Sequence, residues 1–416
     1  MNDEKIYMNN DESILKRNFL WNSIGNFTYL ICQWMITVII VRIANYEEAG
    51  IFSFAMSITN TFYSIAVWGI RTYQVSDMDR KYNDNTYIYS RYITCIVASV
   101  CCAIFTIVSG YNLKQILIIM IYMFFRAVEA FIDVIHGIDQ KAERMDIIGK
   151  SFILRGILLL AGFTLMLKIT GGVLFSVIFI AISSALVCAV YDVPNSRKLM
   201  TDCSRASLIE IKSLLKECLS LVIYTFLMTV VSLIPRYFLE KIVGSELLGV
   251  YASIAAPAVI VQAAASYIMA PFITPIAGYI EKKEFQGYLL LMKKMLYMML
   301  SAFAVVILGA YFLKDIGLKI LFGEEILKYS DLFMPVIFCT IATAFSWFIN
   351  MLLTVYRDFK GLLISNLVGV ICSAIISFPL IRVWGLNGAS FSLLITTVLI
   401  ILISLYYLLK DQRKGF

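Results

Sequence analysis

Residues 47–53 read Glu-Glu-Ala-Gly-Ile-Phe-Ser, and residues 246–252 read Glu-Leu-Leu-Gly-Val-Tyr-Ala. Both run E-x-x-G, then aliphatic, aromatic, small, at an offset of 199. A second pair, Gly-Val-Leu-Phe-Ser at 172–176 and Gly-Ala-Ser-Phe-Ser at 388–392, recurs at an offset of 216. Either match alone is weak; together they place corresponding turns at corresponding points of two halves. With six apolar runs in each half, the repeats are parallel and related by an axis along the membrane normal. Enzymes seldom need that symmetry, whereas alternating-access transporters commonly do.

The composition around these motifs supplies the membrane. Of 416 residues, 60% are apolar and 15% charged, against roughly half and a quarter in a soluble domain. That balance excludes a cytosolic enzyme, a secreted domain and a nucleic-acid binder. Twelve apolar runs fall at 18–41, 50–70, 92–110, 115–135, 151–167, 172–192, 218–240, 248–275, 295–313, 332–354, 361–381 and 386–408. About twenty residues cross a bilayer, and the short connections left over have no room for a folded domain outside it. The fold class expected is all-α integral membrane, with twelve transmembrane helices in two six-helix lobes around a central cavity. The lobes are expected at 1–203 and 218–416, joined by an amphipathic inner connector at 204–217. In that connector Leu208, Ile211 and Leu215 share one face with Arg205, Lys212 and Lys216 opposite; an inner extension of the seventh span is the alternative. Pro257, Pro271 and Pro275 predict a kink or break in the eighth run.

The first seventeen residues are polar and mixed in charge. The apolar run behind them is too long for a signal-peptide core and has no small-residue cleavage site, so it reads as a retained first span. With the N-terminus inside, inner segments hold 24 Lys and Arg and outer segments 8, which places both termini in the cytoplasm. Nine cysteines without a CxxC pair, and His136 as the sole histidine, indicate no disulfide framework, metal site or cofactor.

Charges inside the apolar runs are the informative residues, because each costs about 2.5–3.5 kcal/mol at mid-membrane. On a wheel of about 100° per residue, Arg126, Glu129, Asp133, His136 and Gln140 fall within roughly 80°. Lipid does not solvate such a face, so it meets other helices or water. One reading is an internally neutralised cluster, Arg126 with Glu129 or Asp133, gluing helices together. The other is a cavity wall whose arginine meets an anionic cargo. The second run carries a similar stripe of Ser53, Ser57, Asn60, Ser64 and Arg71, and the seventh one of Thr225, Thr229, Ser232, Arg236 and Glu240. Asn18, Asn22, Asn26, Gln33 and Thr37 share one side of the first. Close packing of small hydroxyl residues, or snorkelling of Arg71, Arg155 and Arg236 to headgroups, is the plainer account of each. The candidate substrate-binding residues are Arg71, Arg126, Arg155, Arg236, Asn60 and Ser64. Glu129 and Asp133 are the candidate proton or sodium coupling pair, with passive exchange equally allowed. Guanidinium-lined cavities suit phosphate, whose oxygens match the planar fork; hydrophobic cations would need the opposite sign.

Four segments in order carry a family likeness. Gly69-Ile70-Arg71-Thr72-Tyr73-Gln74-Val75-Ser76-Asp77 resembles the G-(I/L)-R-x-x-Q-x-S-D segment of polysaccharide flippases. These are the Wzx-type members of the multidrug/oligosaccharidyl-lipid/polysaccharide exporter superfamily. Pro235-Arg236-Tyr237-Phe238-Leu239 with Gly249-Val250-Tyr251-Ala252 is similar to that family's seventh-span pattern. So are Ile316–Gly323 and the turn Gly385-Leu386-Asn387-Gly388-Ala389. The resemblance implies a twelve-helix, two-lobed transporter of the bacterial inner membrane. It would flip undecaprenyl-diphosphate-linked oligosaccharide units, as in O-antigen or capsule assembly, to the outer leaflet. Implied partners are the lipid-linked oligosaccharide, membrane lipids, a glycan polymerase and glycosyltransferases. The first span holds asparagines where lipid II flippases tend to show arginine, so a peptidoglycan precursor is not implied. Two rivals remain: a drug or metabolite cation antiporter of the same superfamily, in which the acids rather than the arginines matter, and a membrane-embedded enzyme such as a glycan polymerase or acyltransferase.

Overall fold

The computed structural model describes the backbone of residues 2–77, 79–202, 204–269 and 272–415. It describes side chains from Arg17 to Gln412, except at 19, 78, 203, 263, 264, 266, 267, 270, 271, 273 and 274. The described chain is helical. In order come α1 (Asn2–Ile43), α2 (Tyr46–Val67), α3 (Ile70–Ser76), α4 (Asp84–Val108), α5 (Leu113–Lys141) and α6 (Met145–Thr170). Then α7 (Val173–Val187) runs through a π-helical turn, Cys188–Asp192, into α8 (Val193–Arg197). After α9 (Leu208–Glu217) follow α10 (Leu219–Met269), α11 (Ile273–Glu281), α12 (Phe285–Phe322), a 3₁₀ segment (Glu325–Leu332), α13 (Phe333–Val355) and α14 (Phe359–Gly415).

Nine helices among the described residues are long and apolar enough to cross a membrane. Their many exposed Leu, Ile, Val and Phe side chains belong in lipid rather than water. Local chemistry sets the starts. Asn83 accepts from the Thr86 N–H at 2.7 Å to cap α4, and Asn112 with Gln115 forms a reciprocal capping box on α5.

Two helices are too long for one crossing. At about 1.5 Å per residue, α10 and α14 would measure roughly 75 and 85 Å if straight, against a hydrocarbon core of about 30 Å. Each is interrupted once, α10 at Gly244 (φ 84°, ψ 174°) and α14 at Gly385 (φ 55°, ψ −128°). Only glycine occupies those dihedrals readily. Beyond Gly385 the chain returns on itself: Ser377 and Ser392 meet at 2.6 Å between their hydroxyl oxygens. The expected seventh and eighth runs thus lie on α10, and the eleventh and twelfth on α14. Pro235 and Pro257 are accommodated within α10, whose non-helical residue is Gly244; Pro271 lies outside the described residues.

The chain divides into two compact units. One comprises residues 1–44 and 58–222, the other 45–57 and 223–416. In the first, the backbones of α1 and α6 approach at Gly149, where an added Cβ would stand 2.1 Å from the Trp21 carbonyl oxygen. In the second, the repeated motifs face each other. A Cβ on Gly50 would fall 1.7 Å from the Ser245 carbonyl oxygen, and one on Gly249 would fall 1.8 Å from that of Tyr46. Positions 46 and 50 correspond to 245 and 249 at the offset of 199. The contact is therefore reciprocal, as at a two-fold axis.

The connector helix α9 buries Ile211 and Leu214 and leaves Leu208 and Ile209 exposed. Glu217 at its end accepts from Lys81 Nζ at 2.6 Å and from the Tyr82 hydroxyl at 3.0 Å, and also from the Tyr73 hydroxyl. The Lys81 ammonium first, then the Tyr73 hydroxyl, hold the Glu217 carboxyl down at about 2.

Candidate functional site

The polar cavity of the first unit starts from a chain break. α2 stops at Val67, and Trp68 (φ 49°) and Gly69 (φ 65°) turn the chain left-handed before α3 restarts. A bulky residue adopts that conformation only when neighbours impose it; here the indole N–H of Trp68 donates to the Leu215 carbonyl at 2.9 Å. The expected stripe from Ser53 to Arg71 assumed one continuous helix, and the break redirects its last member. Arg71 Nη1 reaches Asp133 Oδ1 at 3.2 Å, and Nη2 reaches Gln140 Oε1 at 3.0 Å.

Asp133 has a second partner. Arg91, fully buried on α4, donates from Nη2 to Asp133 Oδ2 at 2.9 Å and from Nη1 to the Ala66 carbonyl at 2.6 Å. One turn before Asp133 on α5, Glu129 accepts from Arg126, whose guanidinium lies 3.7 Å from the Tyr63 ring centroid. Glu129 also accepts from the Tyr29 hydroxyl and stands 3.6 Å from Arg155 Nη1. Arg155 is buried, with its guanidinium 5.1 Å from the rings of both Tyr29 and Phe152.

Of these, the side chains of Tyr29, Tyr63, Arg71, Arg126, Glu129, Asp133, Phe152 and Arg155, with Gln33 of α1 and His136 of α5, line a cavity of about 150 Å³, while Arg91 lies outside that lining. Three guanidinium groups line it with two carboxylates, and Arg91 shares Asp133 from outside the lining, so the cluster holds two positive charges in excess. The Nε groups of Arg91, Arg126 and Arg155 are buried without a hydrogen-bond partner. Buried charge is tolerated where paired and hydrogen-bonded, so the excess calls for an anion. Each acid sits between two arginines as their counter-ion. Asn60 and Ser64 do not line the cavity; the Ser64 hydroxyl donates to the Thr61 carbonyl at 2.6 Å.

Arg236 belongs to the second unit, in a cavity of about 230 Å³. It donates from Nη1 to Ser57 Oγ at 2.7 Å, and no carboxylate among the described residues forms an ion pair with it. The walls around it carry Ser232, Tyr251, Gln262, Thr343, Trp347 and Asn366. Several hydroxyls donate to their own helices, as Thr343 does to the Cys339 carbonyl at 2.8 Å, and keep lone pairs for other donors.

Sequence reasoning missed Arg91, Tyr29 and Tyr63. Arg91 lies one residue before the third apolar run, so the run limits place it among the charges of the inner connections. The spacing Arg91, Thr94, Ala98, Cys102, small or polar residues every three or four positions and all buried, was the available signal.

A many-helix bundle with an arginine-rich polar cavity defines a multi-pass membrane protein of transporter type. The chain belongs to the polysaccharide biosynthesis protein family, whose profile matches residues 15–278. It is 24% identical over 397 residues to the capsular polysaccharide biosynthesis protein CapF of Staphylococcus aureus, covering 95% of this chain and 99% of that one. Its fold resembles the MATE multidrug transporter DinF-BH (TM-score 0.71, 14% identity, 96% of each chain). It also resembles the inward closed lipid II flippase MurJ (TM-score 0.68, 13% identity, 95% of this chain and 90% of that one). At these identities the two likenesses show the fold alone.

Proposed function

We propose that this protein moves a polyprenyl-diphosphate-linked oligosaccharide from the inner to the outer leaflet of a bacterial cell membrane by alternating access. The observation carrying this reading is the excess of guanidinium over carboxylate in the first unit's cavity, with buried Nε donors left over. A diphosphate supplies the missing negative charge and accepts from those donors. Passage of a charged headgroup through mid-membrane is otherwise prohibitive. The aromatic rings of Tyr29, Tyr63 and Phe152 hold the guanidiniums from the side and leave their edges for ligand. The identity with a capsular polysaccharide biosynthesis protein supports the glycan class.

The same reading has twelve crossings in two six-helix halves, both termini in the cytoplasm, and a glycan polymerase and glycosyltransferases as functional neighbours. The α10 and α14 breaks support the number, and the Lys and Arg distribution supports the orientation. Glu129 and Asp133 act as counter-ions that keep the arginines in place for cargo, rather than as the coupling pair the sequence suggested.

The test is reconstitution in vesicles with fluorescent polyprenyl-diphosphate oligosaccharide, following exchange between leaflets. Exchange is expected with the intact protein and lost in Arg126→Gln. Exchange indifferent to neutralising Arg71, Arg91 and Arg126 together would sink the reading.

A further inference from the structure

A second cluster of ionisable groups lies on α5 beside the arginine stripe. Asp139 is roughly 60° beyond the stripe's edge on the helix wheel, toward α7 and α8. His136 is 1% exposed, and Asp139, Asp192 and Ser196 are 0% exposed. His136 Nε2 lies 3.3 Å from Asp192 Oδ1. Both carboxylate oxygens of Asp139, Oδ2 of Asp192 and Oγ of Ser196 make no geometrically complete hydrogen bond among the described residues. Ser196 stands beside Asp139. Asp192 closes the π-helical turn Cys188–Asp192, an irregularity that recurs at functional sites.

The surrounding charges do not neutralise the cluster. Arg71 and Arg144 are the guanidiniums that Asp139 senses. Arg71 is bound to Asp133 and Gln140, and Arg144 is bound through Nε to Asp146 at 2.8 Å. Arg155, which with Arg71 faces His136, is paired to Glu129. Tyr191 and Cys188 complete the ionisable neighbours. Two carboxylates and an imidazole are thus closed off from water with incompletely hydrogen-bonded oxygens and no ion pair to arginine or lysine. An isolated buried carboxylate anion is strongly disfavoured, and capture of a cation relieves it.

We propose that Asp139, Asp192 and His136, with Ser196, form a proton-binding site that couples the transport cycle to a proton gradient. On loading, an O–H bond forms on Asp139 from hydronium; on release it breaks and the proton returns to water. The His136–Asp192 pair retains its own shared proton. Because Arg71, bound to Asp133 and Gln140, is also a guanidinium that Asp139 senses, a change of charge at Asp139 is felt in the arginine cavity. The site stands on geometry; its use in transport rests on the cargo proposed above.

Infrared difference spectra of the protein in lipid nanodiscs, stepped between about pH 5 and 8 where an imidazole or a perturbed carboxyl titrates, test the site directly. A protonated-carboxyl C=O band is expected to titrate in the native protein and in Glu217→Gln, and to vanish in Asp139→Asn. Should that variant fail to fold, Asp139→Glu keeps a carboxyl and is expected to shift the band. In vesicles, an imposed pH gradient should accelerate exchange of the labelled lipid-linked oligosaccharide. In Asp139→Asn and Asp192→Asn the ratio of rates with and without the gradient should fall to one. A band that persists in Asp139→Asn, a band that responds to sodium in place of pH, or an unchanged gradient ratio overturns the proposal. Vesicles that exchange no lipid-linked sugar defeat the cargo assignment and leave the infrared result intact.

Discussion

The two cavities handle positive charge in opposite ways. In the first unit four arginines share two carboxylates, stack on aromatic rings and are largely immobilised by one another. In the second, Arg236 has a serine hydroxyl for a partner and faces a wall of hydroxyl, amide and indole groups. The first is a preorganised array in which each charge depends on the others. The second is a single cation that the protein does not neutralise. Removing a charge should therefore disturb both structure and transport in the first unit, and transport alone in the second.

The largest expected effect is on transport through the first cavity. Charge-assisted hydrogen bonds are worth about 1.5–3 kcal/mol each, so Arg71→Gln, Arg91→Gln and Arg126→Gln combined should slow leaflet exchange by at least about a hundredfold. Next comes stability. Asp133→Asn leaves Arg71 and the fully buried Arg91 without their carboxylate, and breaking a buried pair costs about 3–5 kcal/mol. Thermal unfolding in detergent should show the loss, and adding Arg91→Gln to Asp133→Asn should recover part of it. Recovery would establish that the array is a coupled unit; simple additivity would break the comparison.

Arg236→Gln is the matching change in the second unit. With no ion pair lost, the unfolding temperature should stay near the native value while exchange falls about tenfold, the equivalent of about 1.4 kcal/mol. A large drop in stability would reveal Arg236 as structural and erase the contrast. The second unit instead has a steric weak point. Gly249→Ala places a methyl group against the Tyr46 carbonyl, and such overpacking costs about 1–3 kcal/mol. Gly50→Ala should cost a similar amount, because the contact is reciprocal.

How much of this was legible beforehand follows from what each signal measures. Hydropathy located every long helix, and the repeated E-x-x-G motif named the two glycines that prove to touch. Wheel angles found Arg126, Glu129 and Asp133, because α5 is one unbroken helix and angles propagate along it. They misdirected Arg71, since the left-handed pair Trp68–Gly69 resets the phase. They passed over Asp139 because it lies outside the arc of the stripe, and Asp192 because a π-helical turn shifts register in a way that periodicity does not encode. Arg91 was lost to a boundary drawn one residue late. The paired state of the arginines is a tertiary fact: Arg91 and Asp133 are 42 residues apart in sequence.

The smallest expected effect concerns the connector. Glu217 is on the aqueous side of the contrast, its carboxylate bound by Lys81, Tyr73 and Tyr82 and held at about 2. A depressed carboxylate stabilises the folded state above its unfolded value, about 4.3 for glutamate, and loses that contribution as pH falls through the folded value. The clamp on α9 should therefore be indifferent to pH between about 5 and 8 and should release only in strong acid. Spin labels on α9 and on the 79–83 loop would report this as an unchanged distance across that range. Glu217→Gln keeps the shape and removes the charge, so it should widen the distance distribution at every pH with little change in unfolding temperature, as exposed pairs add little stability. Release of α9 near neutral pH in the native protein would mean that the connector itself responds to protons, and pH sensing could no longer be assigned to the buried Asp139 cluster alone.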